Sequence, residues 1–158
     1  MADVPDVGFE LLHAEVVRIL KEGVVNRSNT EMKLKLEELG YRVGQGWIEK
    51  CTKDRAPFRD DLDVMKFVCK EFWMSIYNKQ VDNLRTNHQG VFVLQDNTFH
   101  FLGRVSSSVQ HTEESQMYLA FPGGMLKGAL AAIGVNCSVG YEITSMPACK
   151  FTITVQPS

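Results

Sequence analysis

Little in this sequence is arranged for chemistry. Its four histidines and four cysteines never fall into Cys-x-x-Cys, His-x-x-x-His or His-Glu-x-x-His, the spacings that let side chains converge on a metal. Gly-x-Ser-x-Gly is missing, and with it one common hydrolase arrangement. Gly44-Gln45-Gly46 opens like a dinucleotide-binding turn, but Glu49 stands where the third glycine belongs and no strand precedes it. The glycine-rich run from Pro122 to Gly128 contains Lys127 yet lacks the Gly-Lys-Ser/Thr end of a phosphate loop. No cysteine has the local signature of an activated nucleophile. These absences predict no catalytic, cofactor-binding or metal-ligating residue.

Charge of one sign is also scarce. The net charge is −2, and Lys and Arg are scattered along the chain, which predicts no nucleic-acid partner. The longest uncharged stretch, Gly128 to Tyr141, is short and broken by Gly134 and Gly140, so it does not span a bilayer. Met1-Ala2-Asp3-Val4-Pro5-Asp6 has two acids and no basic segment. It therefore reads neither as a secretory leader nor, without Gly at position 2, as a myristoylation signal. The chain ends without a prenylation box. Cys51, Cys69, Cys137 and Cys149 are widely spaced, which with no export signal predicts reduced thiols and a cytosolic protein.

What is present is a full set of amphipathic elements in one domain, residues 1–158. A first helix is expected over about Val7 to Glu22, with Phe9, Leu12, Val16, Ile19 and Leu20 on one stripe and Gly23 as a stop. Ser28 and Glu31 have capping-box spacing for a second helix, about Thr30 to Cys51. That helix carries two apolar stripes. Met32, Leu36, Leu39, Val43 and Trp47 form one, while Leu34, Tyr41 and Ile48 lie nearly opposite. A surface helix needs only one, so this one should be sandwiched, either inside the chain or between the chain and a partner. Gly40 and Gly44, four residues apart, mark a side where a neighbouring backbone could come close.

A third helix should begin near Pro57, with Asp60, Asp61 and Asp63 favouring its positive end. Its stripe runs Phe58, Leu62, Met65, Cys69, Phe72, Ile76, widened by Val64, Phe67, Trp73 and Tyr77. The polar run Arg85-Thr86-Asn87-His88-Gln89-Gly90 either holds a ligand or partner, or builds the connection into a strand. A hairpin is expected between Val91–Leu94 and Phe99–Leu102 around Asp96-Asn97. A fourth helix starts after a Thr112 cap and extends to Gly134, kinked or restarted at Pro122. Its Gly124, Gly128 and Ala132 form a smooth face for close packing. Two alternating strands follow, Cys137 to Thr144 and Cys149 to Gln156. The order ααα-ββ-α-ββ indicates the α+β class, a helical layer packed on a four-stranded antiparallel sheet.

These segments resemble a known family. Gly40-Tyr41-Arg42-Val43-Gly44 followed by Ile48-Glu49 is similar to the second-helix signature of the small TRAPP (transport protein particle) subunits. Leu84 to Gly90 with Val93-Leu94-Gln95-Asp96-Asn97 resembles the subunit 6 branch, as do Leu62 to Phe67 and Met146 to Phe151.

The resemblance implies a non-catalytic structural subunit of a vesicle-tethering complex in endoplasmic reticulum-to-Golgi and Golgi traffic. Such a subunit is held at membranes peripherally, through the complex, and touches a Rab-type GTPase only indirectly. It pairs with TRAPP subunit 3 through helical faces, and the isolated chain could form a homodimer. Phe9, Leu12, Val16, Leu34, Tyr41, Gly44, Trp47 and Ile48 are the expected interface residues. Subunit 3 carries an acylated cysteine in the loop before its third helix; here Thr52-Lys53-Asp54-Arg55-Ala56-Pro57 has none, so that acylation does not carry over. Phe121-Pro122-Gly123-Gly124 also departs from the branch, which has Thr-Cys after the Phe. The competing expectation is a lipid or small-molecule module, with Met65, Phe67 and Phe72 lining a cavity between the third helix and the sheet.

Overall fold

The computed structural model describes residues 29–99, 113–145 and 147–156. The expected first helix, and with it Phe9, Leu12 and Val16, lies outside the described residues. So do the Ser28 and Thr112 caps.

Helix α1 spans Asn29–Thr52, close to the segment expected from its apolar spacing. Helix α2, Asp61–Phe67, starts four residues later than expected. The Asp60 carboxylate, not Pro57, provides its cap by accepting a 2.8 Å hydrogen bond from the Asp63 amide. One π-helical turn, Val68–Phe72, then leads without a break into α3, Trp73–Tyr77, which ends at Asn78 in the left-handed conformation (φ 59°). Val64, Met65, Phe67, Val68, Cys69, Phe72, Trp73, Ile76 and Tyr77 are all buried along this rod, so it is the central helix that its double-width stripe indicated.

Strands β1 (Asn83–Thr86) and β2 (Val91–Asp96) follow, then α4 (Glu113–Ala132), β3 (Cys137–Ser145) and β4 (Ala148–Val155). They form one antiparallel sheet in the order β1-β2-β4-β3. The hairpin is therefore placed differently from expectation. β2 pairs with β1 on one side and β4 on the other; of the strand expected at Phe99–Leu102, all but Phe99 lies outside the described residues. Asn83–Thr86 was hidden from pattern reading because it is short and polar. The run ending at Gly90 is the turn that joins β1 to β2. Asn87 Oδ1 accepts from the amides of Gln89 (2.7 Å) and Val91 (3.2 Å), and Thr86 Oγ1 accepts from that of His88 (3.0 Å). His88 (φ 61°) and Gly90 (φ 90°) take left-handed backbone there, so the turn consumes the polarity that made this run conspicuous. Phe99 instead donates its amide to the Pro147 carbonyl at 3.1 Å and packs its ring on Trp73, Tyr77 and Phe151.

Of the two outcomes expected at Pro122, a kink or a restart, α4 excludes the restart. It is one helix through Pro122, although an interior proline costs about 3 kcal/mol. Every residue from Leu119 to Leu126 is buried, and each large apolar side chain among them contributes about 1.5–3 kcal/mol by leaving water. Burial of that stretch outweighs the lost backbone bond.

The α1–α4 contact is built on glycine. A Cβ on Gly40 would run into the Phe121 carbonyl, one on Gly44 into that of Met125, one on Gly124 into that of Glu37, and one on Gly128 into that of Tyr41. Main chain meets main chain along two helical turns, with no side chain between. The buried line on α1 is Met32, Leu36, Gly40, Gly44, Ile48, one residue in four.

Candidate partner faces

The seat of α1 on α4 decides what the helix still offers. Neither expected stripe survives whole, because glycines rather than large side chains mark the centre of the buried face. Leu39 (40% exposed) and Val43 (37%), one turn apart, flank it on one side, and Leu34 (60%) protrudes on the other. The helix is thus sandwiched on one side only.

Of the expected interface residues within the described region, Leu34 is open to solvent and Tyr41 is half-buried beside it. Trp47 is half-buried and donates its indole N–H to Ser75 Oγ at 2.9 Å, while Ser75 donates to the Phe72 carbonyl at 2.6 Å. This chain ties the end of α1 to α3, next to Met74, which is 37% exposed. Gly44 and Ile48 need correction. Gly44 is pressed against Met125, and Ile48 is wholly buried in the core, so neither presents a side chain to a partner. The sequence places Leu39 and Val43 on one of two apolar stripes, and neither is among the expected interface residues. Only the glycine contact, which rotates the buried face away from them, puts them on the surface.

The Leu34 side borders a groove of about 300 Å³ where α1, α4 and β3 meet. It is lined by Leu34, Glu37, Glu38 and Tyr41 of α1, Gly123, Gly124 and Lys127 of α4, and Ser138 and Val139 of β3. Burial raises the Glu37 carboxyl above its usual range, against the opposing pull of Lys33 and Lys127. Lys33 stands 5.1 Å over the ring of Tyr141. Two further clefts, of about 680 and 340 Å³, meet at Asp61 and Gly90.

None of these clefts is lined by Met65, Phe67 or Phe72. Met65, Phe67 and Phe72 are buried in one continuous core with Leu94, Phe151 and Ile153. Phe58 stacks edge-on to Phe67 at 5.3 Å, and the Arg55 guanidinium covers both rings, 4.2 and 4.9 Å from their centroids. The one buried charged side chain among the described residues is Asp96. It accepts from Trp73 Nε1 (2.8 Å), Lys79 Nζ (2.6 Å) and the Thr98 amide (3.0 Å), and Lys79 also reaches Asp82 at 2.8 Å. The Trp73 and Lys79 bonds to Asp96 join α3 and the bend just after it to the end of β2, so the cluster acts as a clamp. All four cysteines are free; burial pushes Cys69 up to about 12 and Cys137 to about 11, and Cys149 also upward, the opposite of an activated thiol. No helix among the described residues is long and apolar enough to cross a membrane.

The family model for transport protein particle (TRAPP) components matches residues 9–156. Trafficking protein particle complex subunit 6b of Danio rerio is 49% identical over 149 residues, covering 94% of this chain and 95% of the relative. Subunit 6B of Homo sapiens is 49% identical over 152 residues, with the same coverage. Human subunit 6A is 42% identical over 161 residues, and both chains are covered completely. Among solved structures, a trafficking protein particle complex subunit 3 from Naegleria fowleri, covalently bound to palmitic acid, superposes with a TM-score of 0.77 over 96% of each chain. At 13% identity that likeness concerns the fold. The chain belongs to the TRAPP family of transport protein particle components, in its subunit 6 branch.

Proposed function

We propose that this TRAPP subunit works without catalysis, as a building block that docks a second subunit of similar fold on the exposed flank of α1. The observation that carries this reading is the pair Leu39 and Val43. Two large apolar side chains one turn apart stay in water on a helix whose other face is seated main chain to main chain, and burying them would favour association. Met74 and the Trp47–Ser75 link extend the same kind of surface onto α3. The partner on this reading is TRAPP subunit 3, with other subunits of the particle following. The chain's contribution to Rab nucleotide exchange is then indirect, by holding the assembly together. Its place is cytoplasmic, peripheral to cis-Golgi and endoplasmic reticulum membranes. The filled core around Met65, Phe67 and Phe72 gives no support to a small-molecule module.

The test is co-expression with TRAPP subunit 3 followed by size-exclusion chromatography with light scattering. A 1:1 complex is expected, lost in Leu39→Asp and in Val43→Asp while thermal unfolding of the chain is unchanged. Full assembly by the double substitution would defeat the proposal, and a second copy in place of subunit 3 would redirect it to a homodimer.

A further inference from the structure

Ser75 is exposed on α3, yet its hydroxyl is fully engaged. It donates to the Phe72 carbonyl at 2.6 Å, accepts from the Trp47 indole N–H at 2.9 Å, and lies 3.5 Å from Cys51 Sγ. A serine inside a helix commonly bonds back to the carbonyl one turn earlier, and here that bond turns the oxygen toward α1. With the proton committed to Phe72, the two lone pairs are left for Trp47 and Cys51.

Trp47 is thus held where the apolar flank of α1 reaches α3. Leu39, Val43 and Trp47 recur every four residues and form one ridge, the feature a second helix packs into its grooves. Leu39 and Val43 stand in water, Trp47 is half-buried against the core, and Met74, next to Ser75, continues the apolar surface. Lys50 reaches over the indole at 5.8 Å, on a stem flexible enough to leave it. The Trp47–Ser75 bond is an exposed one, so it matters little to stability: released from Ser75, the N–H would bond water. Fixing the rotamer matters more to binding, because a side chain ordered beforehand loses less entropy on docking.

We infer that Ser75 is a positioning residue for assembly: it sets Trp47 in one rotamer as the anchor that an apolar helix of the second subunit receives at the α1–α3 joint. This rests on the docking reading above and names the residue that carries most of its energy, as tryptophan does at interfaces generally. The occupant is a helix because the ridge is helical, and a subunit of the same fold has an equivalent helical layer to offer. The receiving helix carries small residues at the contact, since a large indole needs a hollow between two turns.

The full chain has two tryptophans, so fluorotryptophan labelling gives two fluorine NMR signals, assigned by Trp47→Phe. Trp73, buried and bonded to Asp96, is the internal control. Saturating TRAPP subunit 3 is expected to move the Trp47 signal and leave that of Trp73, a readout that needs no change in the binding surface. Trp47→Ala should weaken the complex by about 30-fold or more, the range of an interface hot spot. Ser75→Ala should broaden the Trp47 signal of the free chain and weaken the complex by about fivefold, the cost of ordering one more side chain. In a Trp47→Phe background the same substitution should change affinity by less than about twofold, because the two residues act through one bond. A Trp47 signal unmoved by subunit 3, or a Ser75→Ala loss that persists without the indole, overturns the inference. So does a Trp47 shift that follows the chain's own concentration alone, which would assign the joint to a second copy. A silent Trp47 in a complex that Leu39→Asp still abolishes sinks this inference only, whereas a complex left whole by the Leu39 and Val43 double substitution sinks the docking reading itself.

Discussion

Gly44 in α1 and Met125 in α4 approach so closely that a methyl group on Gly44 would stand 2.8 Å from the Met125 Cα. No backbone can yield that distance locally, because Gly40, Gly124 and Gly128 impose the same limit on either side.

Gly44→Ala and Gly128→Ala are therefore expected to destabilise the chain by about 2 kcal/mol or more. The overpacking cost of about 1–3 kcal/mol, extended here by backbone displacement, exceeds the gain of about 1 kcal/mol from replacing helical glycine. Gly46 lies on the same helix with nothing within 4 Å of its added Cβ. Gly46→Ala should thus stabilise, by up to about 1 kcal/mol. Urea unfolding of the three variants checks the opposite signs, and equal shifts would show that the contact is looser than described.

The Lys79–Asp96 clamp should respond to charge removal in proportion to burial. The Asp96 side chain is 1% exposed and the Lys79 side chain 18%. Lys79→Met leaves a buried carboxylate with only the Trp73 and Thr98 donors, an uncompensated charge that costs about 3–5 kcal/mol. A variant within 1 kcal/mol of the parent, by about the same denaturation measurement, would remove the clamp from the argument.

The same clamp fixes the sign of a pH dependence. Burial alone would depress Lys79, but hydrogen bonds to Asp82 and Asp96 prevail and hold its pKa above the ordinary lysine value. Its contribution is complete below the unfolded lysine pKa and is lost as pH rises through the folded one. Asp82 behaves oppositely. Burial acts to raise its pKa, while bonds from Lys79 and the Asn97 amide prevail and lower it. Its contribution is present above the unfolded carboxylate pKa and fades as pH falls through the folded value; as a partly exposed group it counts for less. Between about pH 9 and pH 12, the parent should lose more of its thermal midpoint than Lys79→Met does. Parallel curves would contradict the assignment.

Tyr141 carries a buried hydroxyl with no hydrogen-bond partner among the described residues, and burial, then the nearby Glu37, raises its pKa above the usual phenol value. Removing an unpaired buried hydroxyl recovers a desolvation cost of about 1 kcal/mol. Tyr141→Phe should consequently match or exceed the parent in stability. A loss of more than about 1 kcal/mol would reveal a bonded hydroxyl.

Thiol labelling separates the cysteines. Cys69, Cys137 and Cys149 are buried and Cys51 is half-buried near the end of α1. Iodoacetamide at about pH 8 should modify Cys51 first in the native chain and the other three after unfolding, as read by mass spectrometry. Early modification of Cys149 would indicate an opening of the sheet.

Most of the architecture was legible because it rests on periodicity. The alternation in Cys149, Phe151 and Ile153 and the double stripe on Asp61–Tyr77 each describe a face that must be buried, and each is. Three features were not legible. β1 is too short and polar to announce itself, and its pairing depends on β2 rather than on its own residues. Pro122 speaks locally for a break, whereas burial of both neighbouring turns is a tertiary fact. Gly44 and Ile48 were expected at an outward face for a subtler reason. Stripes were drawn through large apolar residues, but the centre of the α1 contact is held by Gly40 and Gly44, which carry no hydrophobic signal. Two spacings of four, Gly40–Gly44 and Gly124–Gly128, pointed to close approach, and their pairing would have moved Leu39 and Val43 outward.

Strand β4 pairs with β2 on one side and β3 on the other, yet a ribosome makes it after both. A nascent chain that has reached Ser145 holds β1, β2 and β3 but not the strand that joins them, so the sheet stays in two pieces until synthesis passes Val155. During that interval Phe92 and Leu94 lack Ile153 and Phe151, their cross-strand partners. A premature stop ten residues upstream of Val155 would leave the β1–β2 pair and β3 without the strand that joins them.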